Sequence, residues 1–184
     1  MADNRERLEQ AALAAVQRGG IKGLSFRTLA DDIGIKSSSV HYHFPEKSDL
    51  VRVLIERYSR EFFSLLTDIE KKRWGLPRKL KAFIGIFEDV ASDDKLCLCG
   101  MMAAEFEQLD TANRELLGRY FRNTEKWLSD LFEAHEDELK ATISPQVLAK
   151  SLLSGLEGAL LVDRVVGNNQ RIRAQKETLL AFLS

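Results

Sequence analysis

A cluster of hydrogen-bonding side chains between residues 36 and 47 offers the clearest chemistry in the sequence. Ser37, Ser38 and Ser39 follow one another, and two histidines come soon after, at positions 41 and 43. Short hydroxyls donate and accept hydrogen bonds without steric cost, so they suit contacts with base edges or phosphates. Without a supporting framework, the same residues would form only a solvated loop. Their meaning therefore depends on the elements that hold them.

The first two helices are delimited by caps. Apolar residues recur at helical spacing from residue 8 to residue 16, and Gly19-Gly20 ends a first helix of about residues 4 to 18. Ser25 is a good N-cap for a second helix, with Leu24 and Leu29 at the two positions of a hydrophobic staple. This second helix is short, because Gly34 ends it.

A third helix is expected from Ser37 to about His43, since Pro45 disfavours helical geometry at the residue before it. Val40 would turn inward as its apolar anchor. Two short helices joined by a turn that contains glycine form the skeleton of a helix-turn-helix. The serines and histidines would then lie on its second helix.

The segment from Ser25 to Leu50, SFRTLADDIGIKSSSVHYHFPEKSDL, closely resembles the DNA-binding signature of the tetracycline-repressor-like (TetR/AcrR) family. The resemblance is strong over about residues 8 to 55 and beyond that concerns the layout of helices. It implies an all-α fold of about nine helices. Residues 1–47 would form a helix-turn-helix, three-helix DNA-binding domain, and residues 48–184 a larger helical domain for ligand binding and dimerisation.

In the resembled family the third helix enters the major groove, which assigns roles to matching residues. Arg27 matches a position that reaches a base or phosphate, and Lys47 matches a lysine that contacts the phosphate backbone. Tyr42 and His43 match positions that lie against the sugar-phosphate strand. The resemblance therefore implies that double-stranded DNA is the partner.

Two positions depart from the family pattern. His41 stands where a tyrosine is more usual, and Lys36 replaces a common serine cap, so we expect the cap to shift to Ser37. The predicted DNA-binding residues are Arg27, Lys36, Ser37, Ser38, Ser39, His41, Tyr42, His43 and Lys47.

Six further helices are predicted by apolar periodicity and breaks. A long fourth helix spans about residues 46–73, and a fifth ends near residue 92. The sixth and seventh are expected over residues 97–108 and 113–134. Ser144 and Pro145 begin the eighth, and a ninth covers about residues 170–183.

The eighth helix carries small residues at spacings of three and four, which would allow another helix to approach closely. A second subunit is the predicted partner, with packing inside one chain as the alternative. In the resembled family the last two helices form a four-helix dimer interface, which implies a homodimer and a palindromic operator with half-sites about 34 to 36 Å apart. The predicted interface residues are Ser151, Ser154, Gly155, Gly158, Ala159 and Val162.

The middle helices hold aromatic and sulfur-containing side chains that suit either a ligand cavity or an ordinary core. Glu105 is an acidic residue in an apolar stretch and would either orient a cationic or hydrogen-bonding ligand or point to water. The candidate ligand residues are Phe62, Phe83, Phe87, Met101, Met102, Glu105, Phe106, Tyr120 and Trp127. The expected partner of these residues is a small-molecule effector, whose identity does not follow from the sequence.

Composition limits the other classes of protein. The formal charge is -1 and residues 1 to 50 hold as many acidic as basic side chains, so DNA binding depends on where the charges point. No apolar stretch resembles a signal peptide or membrane span, which predicts a cytoplasmic protein. No Glu-x-x-His pair, phosphate loop or nucleophile elbow appears, so we expect neither an enzyme nor a metal or cofactor.

Two alternatives keep the DNA-binding fold. One is an architectural DNA-binding factor without an effector. A fully packed C-terminal domain would favour this alternative, whereas an enclosed cavity would favour ligand control. The other is a repressor that senses oxidants or electrophiles through Cys97 or Cys99. Two positions apart on a helix, these thiols point in divergent directions and form neither an easy disulfide nor a joint metal site.

Overall fold

The computed structural model describes residues 4–93, 95–139, 143–181 and 183, and within them it forms nine α-helices. The helices are α1 (Asn4–Gly19), α2 (Phe26–Ile33), α3 (Ser37–His43), α4 (Lys47–Glu70), α5 (Leu76–Ser92), α6 (Leu98–Ala104), α7 (Thr111–Glu133), α8 (Pro145–Val166) and α9 (Gln170–Ala181). Short 3-10 helices cover Phe106–Gln108 and Glu136–Glu138. The expected all-α fold is confirmed.

The chain divides into two compact units. The first unit comprises Met1–Glu61 and Leu98–Arg119, and the second comprises Phe62–Cys97 and Tyr120–Ser184. Helices α4 and α7 therefore each contribute residues to both units. The sequence predicted a functional boundary after residue 47, between a DNA-binding domain and a ligand-binding domain. That boundary stays a prediction.

In the first unit, α1 buries one face and ends where the sequence indicates. Leu8, Ala12 and Val16 are fully buried, as the helical spacing predicts. Gly20 follows the helix with a φ of 76°, a left-handed conformation that favours glycine. At the next helix, the Ser25 hydroxyl accepts a hydrogen bond from the Thr28 N–H at 3.4 Å, which confirms the predicted cap.

The turn between α2 and α3 fixes the start of α3. Gly34 has a φ of 72°, and the Ile35 N–H donates to the Ala30 carbonyl at 2.9 Å. Lys36 is the N-cap with an extended backbone, and its side chain makes no capping bond. The expected shift of the cap to Ser37 is therefore wrong, because this short turn leaves Ser37 already helical.

In the second unit, side chains cap the starts of α5 and α8. Glu138 accepts a hydrogen bond from the Leu76 N–H at 3.1 Å, at the beginning of α5. The Ser144 hydroxyl accepts from the Val147 N–H at 3.4 Å, and Pro145 follows as the first helical residue. The start predicted for the eighth helix is confirmed.

A buried carboxylate holds the turn between α8 and α9. Asp163 is 1% exposed and accepts hydrogen bonds from the backbone N–H groups of Arg171 and Ile172 at 3.1 and 3.2 Å. The Arg171 guanidinium adds an ion pair at 3.1 Å. Since a buried charge requires partners, this network fixes the two helices as a hairpin.

Candidate nucleic-acid interface

The residues predicted to contact DNA lie on α2, on α3, in the turn between them and at the start of α4. Tyr42 is the most open of the large apolar side chains in this region, with 83% of its surface exposed. Five others are exposed, namely Arg27, Lys36, Ser37, Ser38 and His41, and three are partly exposed, namely Ser39, His43 and Lys47. The helix-turn-helix and the start of α4 therefore expose hydroxyl, imidazole, phenol and ammonium groups to solvent.

Apolar anchors orient α3. Val40 is fully buried, which confirms the expected anchor, and Phe44 after the helix is 1% exposed. The His41 ring meets the Phe26 ring of α2 edge to face, with centroids 5.0 Å apart. These contacts hold the helix so that Ser37 and Tyr42 stay on its outer side.

The start of α4 is organised around Lys47. The Glu46 N–H donates to the Asp49 carboxylate at 3.2 Å, which is half of a capping box. Burial lowers the pKa of Lys47, and the nearby Glu105 carboxylate partly offsets this effect. A lysine placed at a helix N-terminus adds its charge to that of the free N–H groups, which suits contact with a phosphate.

The segment from Leu98 to Arg119 supports this region. The Glu105 carboxylate accepts hydrogen bonds from the Ile21 N–H and, at 3.2 Å, from the Lys22 N–H, between α1 and α2. The buried Asn113 amide donates to the Ser48 carbonyl at 3.1 Å. Sequence reasoning missed both supports, because neither residue has a local signal that points to partners more than sixty positions away.

Known proteins share this arrangement. The family profile described as "Bacterial regulatory proteins, tetR family" matches residues 9–54, which include α2, the turn and α3. The chain thus matches the tetR family over its helix-turn-helix segment. Its helix-turn-helix is a DNA-binding element, as the resemblance of residues 25–50 implied.

Individual relatives agree over most of the chain. A TetR transcriptional regulator from Legionella pneumophila has a TM-score of 0.90 at 27% identity, over 100% of this chain and 99% of that chain. A TetR-family regulator from Agrobacterium tumefaciens has a TM-score of 0.93 at 26% identity, over 98% and 97%. The HTH-type nicotine-responsive transcriptional repressor HdnoR of Paenarthrobacter nicotinovorans is 23% identical, over 86% of this chain and 82% of its own.

The candidate ligand residues fall into both units. The first unit holds Met101, Met102, Glu105 and Phe106, and the second holds Phe62, Phe83, Phe87, Tyr120 and Trp127. Within the second unit the aromatic rings pack together, with Phe62 and Tyr120 centroids 5.2 Å apart and Phe83 and Trp127 rings stacked at 5.6 Å. The carboxylate of Glu105 is held by backbone N–H groups of its own unit, and a ligand role for it stays a prediction.

An open cleft of about 390 Å³ lies in the second unit, between α4, α5 and α7. Among the residues selected from sequence, Trp127 lines it, beside Phe63, Lys79 and His135. The cleft opens to solvent, so it differs from the enclosed cavity that would favour ligand control most strongly. Its volume lies within the usual range for small-molecule sites, about 300 to 1,000 Å³.

The candidate interface residues on α8 do not share one environment. A Cβ added to Gly155 would lie 2.7 Å from the Gln175 amide oxygen of α9, and Ala159 is 5% exposed, so both pack within the chain. The outer residues Ser151, Ser154 and Val162 are exposed, and a Cβ at Gly158 would meet no atom within 4 Å. A role in dimerisation stays a prediction for this set.

The helices give no sign of a membrane segment. None of those formed by the described residues combines the length and the apolar character needed to cross a bilayer.

Proposed function

We propose that this regulator is a repressor that binds a palindromic operator as a homodimer and leaves it when a small molecule binds its C-terminal domain. The observation that carries ligand control is the cleft of about 390 Å³ in the second unit, which aromatic and charged side chains line together. A regulator of transcription acts where its DNA is, which supports a cytoplasmic location.

The outer face of α8 supports the homodimer. Val147, Leu161 and Val165 are 52%, 47% and 86% exposed, and they continue the line of Ser151, Ser154 and Gly158 at spacings of three and four. We call these six residues the outer stripe of α8. An apolar and small-residue stripe on a helix is suited to the same stripe of a second copy, which gives a two-fold symmetric interface.

Two-fold symmetry determines the DNA target. Two recognition helices related by a dyad read half-sites of the same sequence in opposite orientation, about one helical turn apart. We propose that ligand binding displaces α4, because this helix begins at Lys47 beside α3 and lines the cleft through Phe63 and Glu70. A changed distance between the two recognition helices would no longer match the spacing of the half-sites, which would lower operator affinity. The ligand must bind the released form more tightly, and such couplings are ordinarily about 1 to 3 kcal/mol.

The two alternatives receive less support. An architectural factor without an effector has no use for an open cleft lined by Trp127 and charged side chains. Thiol sensing requires an accessible thiolate, but Cys97 is 2% exposed and Cys99 is fully buried.

Selection of bound duplexes from a random pool tests the DNA target, and operator titration with and without candidate ligands tests control. We expect an enriched inverted repeat, and we expect any ligand of the cleft to bind free protein more tightly than the operator complex. An enriched sequence without two-fold symmetry would overturn the dimer proposal. Equal ligand affinity for free and operator-bound protein would overturn ligand control.

A further inference from the structure

Lys79 is a nearly buried, positively charged residue of the cleft in the second unit. It lies in the first turn of α5 and has only 9% of its surface exposed, yet it lines the cleft. Within the described part of the chain, its ammonium has no hydrogen bond and no ion pair. The ammonium thus reaches the open cleft without a counter-ion, and an anion that enters the cleft would pair with it.

The acidic residues of the cleft do not fill this role. Asp130 is occupied by Lys126, whose ammonium lies 2.8 and 2.7 Å from its two carboxylate oxygens. Glu70 is exposed at the end of α4 and forms no ion pair with Lys79. The charges of the cleft that remain without an ion pair among the described residues are therefore Glu70, which is exposed, and Lys79, which is nearly buried.

Aromatic rings supply the rest of the lining. Trp127 and Phe63 are partly exposed at the cleft, and Trp127 is fixed by stacking on the buried Phe83 at an interplanar angle of 25°. A rigid indole offers a flat apolar surface to a flat ligand. His135 also lines the cleft, and its Nδ1 donates to the Leu131 carbonyl at 2.9 Å, which leaves Nε2 for a ligand.

We propose that the cleft between α4, α5 and α7 binds a flat aromatic compound with one carboxylate, whose charge pairs with Lys79 and whose ring lies against Trp127. This inference rests on the proposed ligand control, since it names the class of compound that acts there. A cationic ligand is disfavoured, because it would meet the unpaired Lys79 charge at short range.

Calorimetry on the full chain with three compounds of one shape tests the proposal. The probes are 1-naphthoate, 1-naphthamide and 1-naphthylmethylamine, which carry a negative charge, no charge and a positive charge. We expect naphthoate to bind at least about tenfold more tightly than the amide, since a charged hydrogen bond contributes about that factor. Equal binding of acid and amide, tighter binding of the amine, or no binding of naphthoate overturns the inference.

Variants locate the site. Lys79→Met should lower naphthoate affinity about tenfold, while Lys79→Arg should retain most of it. Lys126→Met is the matched control, since that ammonium is already paired with Asp130, and its effect should stay below about threefold. The chain has two tryptophans, so in a Trp74→Phe background naphthoate should change the emission of Trp127. A Lys126→Met loss as large as that of Lys79→Met, or unchanged emission, contradicts the placement.

Operator release separates this inference from the proposed function. Naphthoate that binds through Lys79 without weakening the operator complex would confirm the site and overturn ligand control by it. Failure of naphthoate to bind would overturn the site and leave selection of an inverted repeat unaffected.

Discussion

The Glu105 side chain occupies the space in which a Cβ of residue 20 would lie, with its carboxylate oxygen 2.7 Å from that position. Gly20 also has a φ of 76°, so both its backbone and its surroundings favour glycine. The carboxylate reaches the next two backbone N–H groups, of Ile21 and Lys22. One side chain of the Leu98–Arg119 segment thereby fixes the turn that precedes α2.

Glu105→Ala should destabilise the chain, because it leaves the Ile21 N–H, which is part-buried, without its acceptor. The expected loss is about 1 to 3 kcal/mol in the free energy of unfolding, measured by urea denaturation. Glu107→Ala is the control, since the Glu107 side chain is 85% exposed. Equal stability of the two variants would show that the Glu105 contact contributes little.

Lys47→Ala should weaken binding to every duplex by a similar factor, because a phosphate contact carries no sequence information. The slope of log affinity against log salt should fall by about one. Fluorescence anisotropy at several salt concentrations measures both quantities. Lys71→Ala removes a 71% exposed lysine at the other end of α4, and an equal change there would contradict the assignment.

Arg27→Ala and Ser37→Ala should change which bases are preferred, since we predict base contacts for both side chains. Loss of a good base contact costs about 1 to 3 kcal/mol at one position of the site. Competition between the selected operator and its single-base variants measures this effect. An even loss across all these duplexes would show contacts to the backbone instead, and Ser64→Ala on the exposed surface of α4 is the control.

Val165→Asp should shift the chain towards a monomer and lower operator affinity, because it places a charge in the outer stripe of α8. Sedimentation across micromolar concentrations measures the association. Leu65→Asp is the matched control, since Leu65 is an exposed apolar residue of α4 at 48%. A dimer that survives Val165→Asp but not Leu65→Asp would place the interface elsewhere.

Glu157→Gln should change how stability depends on pH. Burial raises the pKa of Glu157 to about 7, although a hydrogen bond with Cys97 partly opposes this rise. The Oε1 atom of Glu157 has no hydrogen-bond partner among the described residues. Between about pH 4.5 and pH 7 the folded chain keeps a proton that the unfolded chain releases, so the native protein loses stability as pH rises.

The Gln variant removes that loss. It should match the native chain near pH 4.5 and exceed its unfolding free energy by up to about 3 kcal/mol at pH 8. Urea denaturation at both pH values checks this, with Glu177→Gln on the exposed side of α9 as control. A constant difference between the Glu157 variant and the native chain across this range contradicts the assignment.

Local chemistry was enough to place most of the fold. The Ser25 and Ser144 hydroxyls cap the helices they were expected to cap, and Val40 is buried as its spacing predicts. These features depend on neighbours within four positions, so the sequence shows them directly. The recognition segment was predictable for the same reason.

Elements decided by distant contacts were not predictable. One helix was expected over residues 97–108, but α6 ends at Ala104 and a 3-10 helix covers Phe106–Gln108. Residues 97–108 contain a glycine at position 100 but no breaker at position 105, the first residue after α6. Glu105 leaves helical geometry where its carboxylate meets the Ile21 N–H, 84 positions earlier in the chain. Lys79 was missed similarly, since its lack of an ion pair becomes visible only in three dimensions.

The two-segment composition of the first unit determines how hybrid regulators can be made. A hybrid joined after residue 47 would combine one protein's turn before α2 with another protein's residues at positions 105 and 113. The Ile21 N–H would then depend on a foreign side chain for its hydrogen bond, whereas Ser48 and Asn113 would still come from one parent. Hybrids that exchange residues 1–61 together with 98–119 keep both bonds within one parent's residues, so the turn before α2 retains its own acceptor.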